Sequence, residues 1–233
     1  MTSPQNPPYG TPDTPLLTVR GEAELEVDPE IARIAVTLTA RGRDRRTTLD
    51  DLTRRNATAL DLLKSYGDSV ENLSTGALTL TPELEPHRRG ERVRTYRGTV
   101  RLTAELTDFA ALGELATRLA DLELTRVDGP WWDLRPTSPA HRTARRHAVH
   151  DAVQRAREYA EALDTTVAAL LELTDTATGG PRPRSAFDRH TVRFSRAAAD
   201  AEPQDPEPLD LEPQRIQVHA EVTARFTMNP PAL

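Results

Sequence analysis

Ala144-Arg145-Arg146-His147-Ala148-Val149-His150-Asp151-Ala152, continuing through Ala156, Tyr159-Ala160 and Ala162-Leu163, is the segment that says most about the architecture of this chain. Alanine returning at every fourth position puts small side chains on one helical face, and such a helix can lie very close to a sheet. Ser138 is placed as its N-cap and Pro139 as its first helical residue, both good helix openers. Downstream, Val167, Ala169, Leu171 and Leu173 read as the strand on which the chain continues.

Working outward, Leu17, Val19, Gly21, Ala23, Leu25 and Val27 alternate with polar residues and predict a half-buried strand. Asp28-Pro29-Glu30 turns the chain, and Ala32, Ile34, Val36 and Leu38 alternate again, so a hairpin is expected. Leu49, Leu52, Leu60, Leu63 and Tyr66 share one helical face, with Gly67 placed to stop that helix. Strands follow near Gly76–Leu84 and over Tyr96 to Leu106. Asp108 caps a helix that turns Phe109, Leu112, Leu115, Ala116 and Leu119 inward. Val127 to Leu134 is a strand, and Ile216, Val218, Ala220, Val222, Ala224, Phe226 and Met228 form a last one that must pair within the fold to hide its apolar stripe. The order β-β-α-β-β-α-β-α-β-β predicts an α+β fold, mainly antiparallel sheet with three helices packed on one side.

Residues 1–15, polar and carrying five prolines, read as a disordered tail. Residues 16–175 with 213–228 form the α+β domain, either one body or two intimately packed subdomains. Between them, 176–212 reads as a flexible, charged, proline-rich insertion, long enough to serve a partner protein. The chain has 233 residues, a net charge of −6 and no cysteine. The charge argues against a general nucleic-acid binder. The lack of cysteine excludes disulfides, thiol nucleophiles and thiolate metal sites. Neither a secretory leader nor an apolar run of the roughly 18 residues that spans a bilayer is present, so a cytoplasmic protein with no membrane span is the expectation.

Two stretches carry a family likeness. Leu17-Thr18-Val19-Arg20-Gly21-Glu22-Ala23-Glu24-Leu25-Glu26-Val27-Asp28-Pro29-Glu30-Ile31-Ala32 resembles the opening of the bacterial SIMPL-domain family, also called oxidative-stress-defence proteins. The Ala144–Leu163 helix is similar to that family's Ala-x-x-x-Ala pattern, and the element order matches over about 16–228. The resemblance implies an α+β fold, a tendency to form homo-oligomers and an association with stress tolerance or envelope integrity. One eukaryotic member is a partner of a signalling kinase. Many members carry a signal peptide, which this sequence does not show, and its 176–212 insertion is longer and more charged than usual. The family brings no agreed active-site residues, so none is carried over.

His147 and His150 stand about 60° apart on a helical wheel, within reach of one metal, but they lie off the alanine face and read as solvated surface. Trp131 and Trp132 are adjacent on a strand and so point to opposite faces, one into the core and one to a covering helix, a partner or a ligand. Arg92, Arg94 and Arg97, beside Arg88 and Arg89, make a basic patch for an anion or an acidic partner, or else simply a charged hairpin rim. No Ser–His–Asp triad, phosphate-cradling glycine loop or paired-carboxylate site is discernible. The sequence therefore reads as a non-enzymatic assembly or interaction protein without cofactor. The alternative is a small-molecule binder with a pocket between sheet and helices near the tryptophan pair.

Overall fold

The computed structural model describes residues 10–84, 93–176 and 209–232. Seven strands and three α-helices follow one another as β1 (Leu16–Val27), β2 (Ile31–Gly42), α1 (Arg45–Ser65), β3 (Val70–Leu84), β4 (Val93–Leu106), α2 (Phe109–Asp121), β5 (Thr125–Asp133), α3 (Pro139–Ala162), β6 (Val167–Asp175) and β7 (Ile216–Met228). This is the α+β order that the alternation predicts. The strands form two fully antiparallel sheets, β1-β7-β6 and β3-β4-β2-β5. The chain divides accordingly into two compact units.

The first unit holds β1, α3, β6 and β7. Its core is the alanine stripe. Ala144, Ala148, Ala152, Ala156 and Ala160 are all buried, against a sheet face carrying Val19, Val222, Ala224 and Phe226. Gly21 lets the helix come this close: a Cβ there would stand 2.1 Å from the Ala148 carbonyl oxygen and 2.5 Å from the Ala152 nitrogen. Asp151 adds a polar clamp, its Oδ2 accepting the Glu22 backbone N–H at 2.9 Å. That bond satisfies a donor on an edge strand, which would otherwise invite a foreign strand.

The second unit holds β2, α1, β3, β4, α2 and β5. Alternate residues Ala32, Ile34, Val36, Leu38 and Ala40 of β2, with Val100, Leu102, Ala104 and Leu106 of β4, meet Leu52, Ala59 and Leu63 of α1 and Leu112, Leu115 and Leu119 of α2. Asp44 and Asp108 cap the two helices, each accepting two backbone N–H groups. Gly67 adopts φ +51° just past α1, the left-handed geometry that ends a helix. The return of the chain to β7 begins on this unit. Leu209 lies so close to α2 that a Cβ on Gly113 would stand 2.2 Å from its carbonyl oxygen, and its N–H is donated to Thr117 Oγ1 at 3.2 Å. Leu211 packs against the core.

Three local expectations are corrected. β1 and β2 form no hairpin: β1 pairs with β7 from Leu16↔Thr227 to Val27↔Ile216, and β2 pairs with β4 and β5. Asp28-Pro29-Glu30 is thus a crossover between sheets. β3 starts at Val70, well before Gly76, because its first residues are mostly exposed and interrupted by register shifts that erase any alternation. Leu49 is exposed, and the buried face of α1 instead runs Thr48, Leu52, Ala59, Leu63.

Candidate functional site

Alternation on β5 separates the tryptophans as expected. Trp132 stands opposite Ala32 on the helix-covered face, its ring edge-on to Phe109 with centroids 4.8 Å apart and planes at 75°. Trp131, opposite Arg33, lies on the other face and is 47% exposed. The two rings therefore border no common space.

That other face is a ladder of arginine and threonine. Across the strands the rows read Asn72–Glu105–Arg33–Trp131, then Ser74–Thr103–Ala35–Asp128, Arg101–Thr37–Arg126, Thr79–Thr99–Thr39 and Thr81–Arg97–Arg41. Arg33 grips Glu105, donating Nη2–H at 2.6 Å and Nε–H at 3.0 Å, and Asn72 donates to the same carboxylate at 2.8 Å. These bonds, the arginine's foremost, hold the Glu105 carboxyl below the usual glutamate range. Glu83 is lowered in the same way, chiefly by Arg41 at 2.8 Å and then by Thr95 at 3.0 Å. Arg126 is held by its strand neighbour Asp128 at 2.6 Å.

Of the basic patch expected around the β3–β4 turn, Arg94 and Arg97 are described and do not share a face. Arg88, Arg89 and Arg92 lie outside the described residues. Arg94 and Arg97, three residues apart on β4, point to opposite faces. Arg97 shares the ladder face with Trp131, but their β2 partners Arg41 and Arg33 are eight residues apart, about 27 Å along an extended strand. A single small ligand does not bridge that distance. A surface depression of about 190 Å³ does occur elsewhere, lined by Arg54, Arg55, Thr58, Leu122, Glu123 and Thr125. There Arg55 is engaged by Asp51 at 2.9 Å and Glu123 at 3.1 Å, which leaves it a clamp between α1 and the α2–β5 turn.

In the first unit, His147 and His150 are both exposed on α3. Among the described residues no three His, Asp or Glu side chains gather to hold a metal ion, and no helix is long and apolar enough to cross a membrane. The alanine stripe is consumed within the unit. Among the described residues, what stays uncovered is β6, an edge strand that α3 scarcely touches. Leu170 and Leu173 stand opposite Phe226 and Ala224, on the helix-facing side of the sheet, yet are 54% and 45% exposed. The sequence shows these residues as strand-like, but nothing local shows that the helix stops short of them. Residues 177–208, the bulk of the stretch expected to serve a partner, lie outside the described residues.

The profile of the SIMPL family, described as a protein of unknown function (DUF541), matches residues 17–226, from β1 into β7. No curated protein matches the chain.

Proposed function

We propose, from the premise that this chain belongs to the SIMPL family, that it is a non-enzymatic assembly and interaction module. One observation carries this reading: β6 presents uncovered leucines on an edge strand. An apolar strip beside unpaired strand backbone is where a protein partner gains both buried area and main-chain hydrogen bonds. Trp131, half in solvent on the other sheet, adds a second anchor of the type that dominates interfaces. Any contribution to stress tolerance then runs through what the protein assembles with, rather than through a reaction it performs.

The ligand-binding alternative has less support, because the tryptophans face opposite sides and Arg97 stands far from both. Light scattering on the full chain at micromolar concentration tests the assembly reading, with a defined oligomer expected. Replacing Leu170→Ser together with Leu173→Ser should leave the far-ultraviolet circular dichroism unchanged and lower the assembled fraction. A wild-type chain that is strictly monomeric, alone and in lysate, overturns the reading.

A further inference from the structure

Among the described residues, no helix packs on one face of each sheet, and the two faces are oppositely charged. On the four-stranded sheet, the rows from Asp128 to Glu83 carry Arg41, Arg97, Arg101 and Arg126 against Glu83 and Asp128, a local surplus of two positive charges. No carboxylate of the described residues pairs with Arg101, while Arg41 and Arg97 share the single carboxylate of Glu83. On the three-stranded sheet, the face turned away from α3 carries Glu22 and Glu24 of β1 and Glu221 of β7 against Arg20, a local surplus of two negative charges. At the far end of each ladder the charges cancel, through Arg33–Glu105 on one sheet and Arg225–Glu172 on the other. The imbalance is thus confined to one end of each face. Both ends are solvent-exposed; Arg126 and Glu24 side chains are 68% and 79% accessible.

We propose that these two ends are the halves of one interface: the acidic end of the β1-β7-β6 sheet of one copy docks on the arginine–threonine end of the β3-β4-β2-β5 sheet of a second copy. The occupant is a second copy because the chain itself carries the complementary surface, and guanidinium groups pair with carboxylates of opposite sign. Threonine hydroxyls at Thr37, Thr39 and Thr99 lie between the arginines and supply neutral hydrogen-bonding partners. The contact is heterologous, one surface against a different one, so each copy can receive one neighbour and present itself to another. This inference rests on the assembly reading above and specifies its partner.

Paired charge reversals on the full chain test it. Arg101→Glu with Arg126→Glu makes both faces acidic; Glu22→Arg with Glu24→Arg makes both basic. Each variant alone should associate at least about tenfold more weakly than wild type by analytical ultracentrifugation, a change of about 1.4 kcal/mol. Mixed in equal amounts, the two variants should regain association, because every contact is then acidic against basic. Wild type should dissociate between about 0.1 M and 1 M NaCl, as the screening length falls from about 10 Å to about 3 Å. Oligomers that persist in either variant, or a mixture that stays monomeric while both variants keep wild-type circular dichroism, overturn this interface and leave the assembly reading standing. A wild type that is monomeric in every salt overturns both. Anionic polymer bound by wild type with no self-association would identify the arginine face as a site for that polymer and overturn the proposal.

Discussion

Gly21 shows how much a missing side chain can fix. Read along the chain it is one more inward position of an alternating strand, without the companion glycines of a phosphate loop. In space it is where α3 comes closest to the sheet, and any Cβ would collide with helix backbone that cannot swing aside. Gly21→Ala should therefore lower unfolding stability by about 2–3 kcal/mol, the usual cost of overpacking a tight contact. A denaturant midpoint equal to wild type would disprove the close approach. Glu105 makes the complementary case for charge. Its folded-state carboxyl is held below the ordinary 4.5, chiefly by Arg33 and then by Asn72. The carboxylate thus contributes stability that is present above that ordinary value and lost as pH falls through the lowered one. Comparing Glu105→Gln with wild type, urea midpoints should differ by a constant amount from pH 6 to 8 and converge in acid. A difference that grows as pH falls would contradict the sign.

At the scale of elements, what is local was legible. Asp108, Ser138 and Pro139 open their helices as the sequence indicates, since capping is decided within one turn of chain. Asp44 does the same for α1 but precedes the first leucine by five residues, so hydrophobic periodicity did not reach it. Asp44→Ala and Asp108→Ala should each cost about 1 kcal/mol and speed amide exchange in the first turn of the affected helix alone. Exchange that rises equally throughout the second unit would show that the caps act globally. Strand pairing was not legible. Alternation states that a strand has one dry face, and nothing in it names the neighbour. The short spacing between β1 and β2 suggested a hairpin, but the partner of β1 lies about two hundred residues downstream. For the candidate sites the division is similar. Opposite faces for Trp131 and Trp132 follow from the strand period alone, whereas the charged ladder needs four strands in register, and the exposure of Leu170 and Leu173 depends on where a distant helix stops.

Across the whole molecule, the two units draw on the chain differently. Strands β2 to β5 and both their helices lie within Asp28–Arg135, whereas the three-stranded sheet is assembled from both ends of the sequence. Its middle strand, β7, lies between β1 and β6 and pairs with both. Removing residues 216–233 should abolish amide protection throughout β1 and β6 while β2 and β4 stay protected, as read by hydrogen exchange and mass spectrometry. Protection surviving in β1 would mean that the sheet does not depend on β7.

The same arrangement bears on how the protein is made. Gly21 leaves the ribosome about two hundred residues ahead of Val222, its partner across the sheet. At about 5–20 residues per second, β1 waits roughly 10–40 s with its strand backbone unmatched. Throughout that interval the nascent chain offers other molecules an open strand, and the alternating glutamates of β1 place negative charge along it that discourages pairing with another copy of itself.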